Sequence, residues 1–265
     1  MRTKVVDLGC KLGRALEEFR RAGPRYYGRA AEAVCPAECL GVDRQARYAA
    51  LVRDRGYGFL GLDLTEPGAL ERLPRADFYL AWDFLEHLPD KGWSDAVLRA
   101  ALARARIGVW LRMPSFQQDD DTGEGALRAL GLRFTWTRWT GHRSGYLIEE
   151  ALEAIGLYRK EVNRPAVAVR AEPRGLIRST EDPRVVPADA PVDTVRYEPG
   201  LGAKPLVDFD PPLVGQWDLV VTMGSAAQAG GAGQEGDAQG VGAAARRPGW
   251  AGERAVQREL ACTPP

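Results

Sequence analysis

A chain of 265 residues, 45% of them hydrophobic, is long enough to bury one large core or two small ones. Thirty-six basic residues balance thirty-six acidic ones, so no global field draws the chain to nucleic acid or anionic lipid, and neither is expected as a partner. Four cysteines and two histidines are too few for a disulfide scaffold or a histidine-built metal centre, and no apolar run of about 18 residues marks a membrane span or leader, so a cytoplasmic protein without a metal is the expectation.

In chain order, residues 4–8 form a short apolar run stopped by Gly9, residues 12–22 have helical spacing, and residues 39–42 form a second apolar run ending in Asp43. Strand, helix, strand is the reading. The alternation continues with a helix at 44–55, a strand at 57–62, a short helix near 67–72, a strand at 77–82, a helix at 91–104 and a strand at 107–113. Strands separated by helices need crossovers, which makes the sheet parallel and covers both of its faces. An irregular substrate-side insert is expected over 113–147, followed by a helix at 146–155 and strand-like pieces at 157–162 and 166–170. Residues 165–212 are rich in Pro, Asp and Arg, with strand-like stretches at 192–197 and, just beyond, 217–222. The expected organisation is a main domain over 1–170, an extension over 171–222 packed on it, and a tail over 223–265. Nearly half of the tail is Gly or Ala, too little large apolar surface to offset the entropy of ordering, so disorder is expected there. A short helix over 243–260 docking on a partner is the alternative.

Ligands of open parallel sheets bind outside the carboxyl ends of the strands, where the winding reverses. The first such loop reads V-V-D-L-G-C-K-L-G, with Gly9 free to turn tightly and Gly13 opening the next helix. It does not match the dinucleotide fingerprint, because Lys11 and Arg14 stand where glycines are needed. The second strand ends C-L-G-V-D. Asp43 there is placed either to accept from two ribose hydroxyls or to cap the following helix.

Four pieces in order, V-V-D-L-G-C-K-L-G, C-L-G-V-D, G-L-D-L and A-D-F-Y-L-A-W-D-F-L-E-H-L-P, resemble the class I S-adenosylmethionine-dependent methyltransferases. The resemblance covers roughly residues 4–170. It implies an α/β, Rossmann-like, doubly wound and mostly parallel seven-stranded sheet, helices on both faces, last strand antiparallel. By the same resemblance the cofactor is S-adenosyl-L-methionine. Asp7, Gly9 and Gly13 would shape the pocket for its methionine part, Asp43 would hold the ribose, Asp63 and Leu64 would border the adenine, and Asp83 would line the cofactor side. Residues 142–157 resemble the family's helix leading to the last two strands, taken here as 157–162 and 166–170. Lys11 departs from the family, which most often has glycine there; its ammonium would point to solvent, meet the cofactor's carboxylate or crowd the pocket. No N-terminal helices precede the first strand, so a lid over the substrate would have to come from 114–145 or from the extension.

Methyl transfer from a sulfonium needs alignment and, for a hydroxyl acceptor, removal of a proton. His87 is the candidate base, and a helix-end histidine bonded to backbone is the other reading of it. Glu86, Trp139, His142, Arg143 and Tyr146 are the candidate substrate-binding residues; an ordinary covering loop is the alternative for the last four. Cys35 and Cys39 lack two further ligands for zinc, and the acidic run 119–121 lacks calcium-loop spacing. After the fourth strand, W-D-F-L-E-H lacks the Pro-Pro-aromatic ending of enzymes that methylate nucleobase amines. The expected activity is O-methylation of a small-molecule or sugar-like acceptor. The alternatives are a module that binds cofactor or partner without turnover, and a nucleotide-sugar or NAD enzyme on a similar sheet.

Overall fold

A computed structural model describes residues 3–27, 38–162 and 167–224. Strand β1 (Lys4–Leu8) is buried at every position after its first residue, as an apolar run covered on both faces must be. Helix α1 (Arg14–Tyr27), strand β2 (Glu38–Asp43), helix α2 (Ala49–Asp54) and strand β3 (Gly58–Gly61) follow, and then strand β4 (Ala76–Trp82), helix α3 (Lys91–Arg104) and strand β5 (Ala105–Pro114). Asp90 starts α3 by accepting from the Trp93 amide at 2.9 Å, a side-chain cap for one of the helix's unpaired N–H groups. Leu16, Phe19 and Val52 pack on one face of the sheet with Val5, Phe78, Leu80 and Trp110. Val97, Leu98, Ala101, Ala151, Ile155 and Tyr158 pack on the other with Val6, Leu8, Tyr79 and Leu111. Successive strand residues thus feed opposite layers, the period-two pattern of a sheet sandwiched between helices.

The seven-stranded sheet has the order β3-β2-β1-β4-β5-β11-β7, where β7 is Val167–Arg174 and β11 is Gln216–Met223. Strand β11 runs antiparallel to both of its neighbours, while the other pairs are parallel. The winding reverses between β1 and β4, so the loops after β1, β2 and β4 meet at one crevice.

Two expected elements differ. Residues 157–162 lie not in a strand but largely in helix α5 (Ile148–Glu161). Its buried positions Ile148, Ala151, Ala154, Ile155 and Tyr158 recur at helical spacing, and Gly156, expected to end the helix, sits inside it with open space where a side chain would be. The seventh strand is therefore β11, which belongs to the main sheet. The division at residue 170 is corrected accordingly: 171–222 is not an appended extension, because it contains a central strand of the domain. Residues 192–197 form no strand, and Val192 and Val195 are exposed. The cysteine at 35, the proposed helix at 243–260 and all but the first two residues of the tail lie outside the described residues.

Between these strands the chain builds a second, smaller layer. Helix α4 (Glu124–Arg128), strands β6 (Leu132–Phe134), β8 (Ile177–Ser179), β9 (Val185–Pro187) and β10 (Asp208–Leu213) form two small antiparallel sheets, β6 with β9 and β8 with β10. Leu127, Leu132, Phe134, Trp136, Ile177, Val185 and Leu213 give it a core of its own. The first segment leaves the carboxyl end of β5 and leads into α5, and the second leaves the carboxyl end of β7 and returns at the amino end of the antiparallel β11, so this layer stands over the crevice edge of the sheet. Ser115 donates its amide to Gly215 O, and Val214 donates to Thr122 O, tying the two segments together. The two stretches expected as sources of a lid, 114–145 and the later residues, both contribute to this layer.

Candidate active site

The loop after β1 turns through three residues of positive φ: Gly9 at 67°, Lys11 at 44° and Gly13 at 71°. Gly9 is required by its surroundings as well as by its backbone, since a Cβ there would lie 2.1 Å from the Phe84 ring. Lys11 adopts the left-handed conformation without being glycine, at the one position where the chain departs from the glycine pattern. Its side chain is exposed, yet its charge acts on Asp83, Glu86, His87 and His142, so the ammonium stands at the mouth of the crevice.

Beneath this loop Asp7 is buried, and its Oδ2 has no hydrogen-bond partner among the described residues. Burial, and then the neighbouring Asp43, hold its carboxyl well above the usual carboxylate range. Asp43 ends β2 and accepts from the Lys11 amide at 3.0 Å and the Gln45 amide at 2.8 Å. Asp43 thus holds the turn that follows and does not cap a helix, since the next helical turn begins at Ala46 with Gln45 at its N-cap and no side-chain cap; a carboxylate with four acceptor sites retains capacity for a ligand. Asp63 accepts from the backbone and hydroxyl of Thr65 at 3.0 and 2.7 Å and lies 3.8 Å from Arg44. Burial pushes its pKa up, but these donors outweigh burial and leave it below the ordinary value.

After β4, Asp83 takes a positive φ of 46° and accepts from Gln216 Nε2 at 3.1 Å. The following turn buries Glu86 to 1% exposure, and neither of its carboxylate oxygens has a partner among the described residues. Burial and then Asp83 raise its pKa strongly. The loop over the site is fastened here, because Glu86 O accepts the amides of Arg143 and Ser144 at 2.7 and 3.2 Å. His87 Nδ1 meets Gly141 O and His142 Nδ1 meets Trp136 O, both at 2.9 Å, and the two imidazoles lie 4.9 Å apart between ring centroids. Burial lowers the pKa of both and brings His142 to about 4, so both rings are neutral at pH 7.

Asp7 and Asp43 therefore stand at the carboxyl ends of β1 and β2, Gly9, Gly13, Asp63 and Asp83 stand on the loops after β1, β3 and β4, and Glu86, His87 and His142 form one cluster beside them. Trp139 is 42% exposed with its ring 5.3 Å from His142, on the open side of the cluster. Arg143 contributes its backbone amide, while its side chain is exposed. One expected site residue is corrected. Tyr146 is fully buried in the core and donates its hydroxyl to Asp95 of α3 at 2.5 Å, because it precedes α5 and packs inward with it. Leu64 is 4% exposed and packs in the same core, so what it would offer an adenine is its backbone. Gln216 and Phe84 were not legible as site residues. Gln216 reaches Asp83 only through the antiparallel placement of β11, and Phe84 reads as one more apolar residue until its ring is seen against Gly9.

Among solved structures, a methyltransferase dependent on S-adenosylmethionine (SAM) from Archaeoglobus fulgidus superposes with a TM-score of 0.50 at 15% identity, over 83% of this chain and 86% of that one. Magnesium protoporphyrin IX methyltransferase from Synechocystis PCC 6803, with bound S-adenosylhomocysteine (SAH), gives a TM-score of 0.45 at 13% identity, over 84% and 75%. No protein-family model and no curated protein sequence matches the chain. At these identities the likeness is one of fold, and it agrees with the strand order and with the single antiparallel strand.

Proposed function

We propose, from the premise that this chain has the class I methyltransferase fold, that it transfers a methyl group from S-adenosylmethionine to an oxygen of a small-molecule or sugar-like acceptor. The observation that carries the reading is the placement of four acidic residues, Asp7, Asp43, Asp63 and Asp83, at or just beyond the carboxyl ends of β1, β2, β3 and β4, around the winding reversal. S-adenosylmethionine supplies a methyl on a positively charged sulfur, so its transfer to a hydroxyl forms an O–C bond, breaks an S–C bond and leaves S-adenosylhomocysteine and one proton. The residues present fit that group. A ligand with an ammonium and a sulfonium against one carboxylate carries net positive charge, which an acid-lined crevice favours. Asp7 has a buried oxygen without a hydrogen-bond partner among the described residues, Gly9 and Gly13 bring bare backbone to the crevice, and Asp43 retains acceptor capacity for a ribose. Lys11 supplies a cation at the mouth, suited to the carboxylate of the methionine part.

The acceptor approaches from the side of His87, His142 and Trp139, beneath the layer built by 115–147 and 175–214. A carbonyl can only accept, so the bond from His87 Nδ1 to Gly141 O leaves the Nε2 lone pair free to take the acceptor's proton. The test is incubation of the full chain with methyl-labelled S-adenosylmethionine and a panel of hydroxyl-bearing small molecules, read by mass analysis. Label on oxygen, reduced by about 100-fold or more in His87→Ala with cofactor affinity unchanged, supports the reading. Cofactor binding without a labelled product across the panel and a cell extract favours the non-catalytic module.

A further inference from the structure

Glu86 is a buried acid whose two carboxyl oxygens have no hydrogen-bond partner among the described residues, beside a second acid in Asp83. Its ionised form in such a place is costly, and the cost is relieved by a proton or by a compensating cation. His87 Nε2 lies 3.9 Å from Glu86 Oε1, too far for a hydrogen bond. The protein's only two histidines both give their Nδ1 to backbone carbonyls, those of Gly141 and Trp136. Both Nδ1 atoms are therefore the protonated ones, and both Nε2 atoms present lone pairs. An imidazole fixed in this way, by donation of its other nitrogen to a carbonyl, is oriented as metal-bound histidines are. The donor atoms of Glu86, His87 and His142 all lie within 4.8 Å of one another.

We propose that Glu86, His87 and His142 form a binding site for one first-row divalent transition-metal ion. Two imidazoles and one carboxylate suit the series from manganese to zinc, whereas magnesium and calcium take oxygen donors. Donors at the usual zinc distances stand about 3.4 Å apart in a tetrahedron, so closure from the present spacing moves each side chain by about 1 Å or less. The small number of histidines, which argued against a metal in the sequence, is sufficient here because the loop at 141–144 brings the second one across 54 residues to the first. Three protein donors leave a coordination position open. Resting on the methyl-transfer reading, that position takes the acceptor oxygen, and the ion favours loss of the hydroxyl proton to solvent. With the ion bound, the His87 lone pair is a ligand and no longer the base.

The test uses the full chain without an affinity tag, stripped with chelator and titrated with Zn2+. Because the chain has two histidines, its imidazole C–H resonances report the site directly, with neither cofactor nor acceptor present. Both histidines should shift together and saturate at one equivalent, and Glu86→Gln should weaken Zn2+ binding at least about tenfold. Should Glu86→Gln fail to fold, the wild-type spectrum alone decides. A titration in which one or neither histidine responds overturns the site, as does a folded Glu86→Gln that binds Zn2+ as tightly as the wild type. Either result leaves methyl transfer standing, and a failure to bind S-adenosylmethionine leaves the Zn2+ result standing.

Discussion

Asp218 lies fully buried in the middle of β11 and holds that strand into the sheet by charge. Its oxygens accept from Arg112 Nε at 2.8 Å and Nη2 at 3.3 Å on β5, and Arg174 on β7 forms an ion pair with it at 3.1 Å. Arg112 is 11% exposed, is also paired with Glu18 at 3.3 Å, and sits 3.7 Å above the Trp82 ring. Asp218→Asn keeps the shape and removes the charge that compensates Arg112. Breaking a buried ion pair from one side costs about 3–5 kcal/mol, and the Glu18 and Trp82 contacts that remain place this case near the lower end, about 3 kcal/mol. For a domain of this size that is a fall in Tm of roughly 6–12 °C. Urea unfolding of the wild type, Asp218→Asn, Arg112→Met and the double variant measures it. The double variant should lose at least about 1 kcal/mol less than the sum of the single losses. A loss under about 1 kcal/mol for Asp218→Asn, or strict additivity, would refute the view that charge pairing holds the seventh strand.

Asp43→Ala removes the acceptor of two backbone amides and of the proposed ribose; S-adenosylmethionine affinity should fall by about 2–4 kcal/mol in calorimetry with native circular dichroism retained, and an unchanged Kd would end the ribose assignment. Glu18 is raised by burial but lowered further by Arg112 and Arg174, so its folded pKa lies below the ordinary value. A depressed carboxylate stabilises above its unfolded pKa of about 4.3 and loses that contribution as pH falls through its folded value; Glu18→Gln should therefore flatten the loss of stability below about pH 4, which equal slopes in the two proteins would contradict. Lys11→Gly replaces a strained left-handed residue and should raise stability by up to about 1 kcal/mol in thermal melts, whereas a clear loss would mean that Lys11 makes compensating contacts.

The sheet was legible where burial on both faces forces a continuous apolar run, as in Lys4–Leu8 and Ala76–Trp82. It was not legible where the chain departs and returns. Strand β11 joins the sheet across more than 40 residues, and no local pattern in Q-W-D-L-V-V-T-M separates a central strand from one in an extension. Residues 157–162 were misread because Gly156 imitates a helix stop that the packing of Ile155 and Tyr158 overrides. Within the site, Asp43 could be read from its place at the end of the second strand, whereas Asp7, Asp63 and Asp83 were legible only through the family resemblance. The meeting of Glu86, His87 and His142 could not, since it depends on backbone carbonyls of Gly141 and Trp136 that carry no signature of their own. Tyr146 shows the opposite error, in which nearness in sequence to site residues says nothing about the face a side chain takes.

The central claim is that the acid-lined crevice between β1 and β4 holds S-adenosylmethionine. Calorimetric titration of the full chain with S-adenosylmethionine, and separately with NAD, tests it directly. Saturable binding of one equivalent of S-adenosylmethionine, weakened in Asp43→Ala and without a counterpart for NAD, is the predicted result; binding of NAD in its place, or no binding of S-adenosylmethionine to the folded chain, would contradict the account.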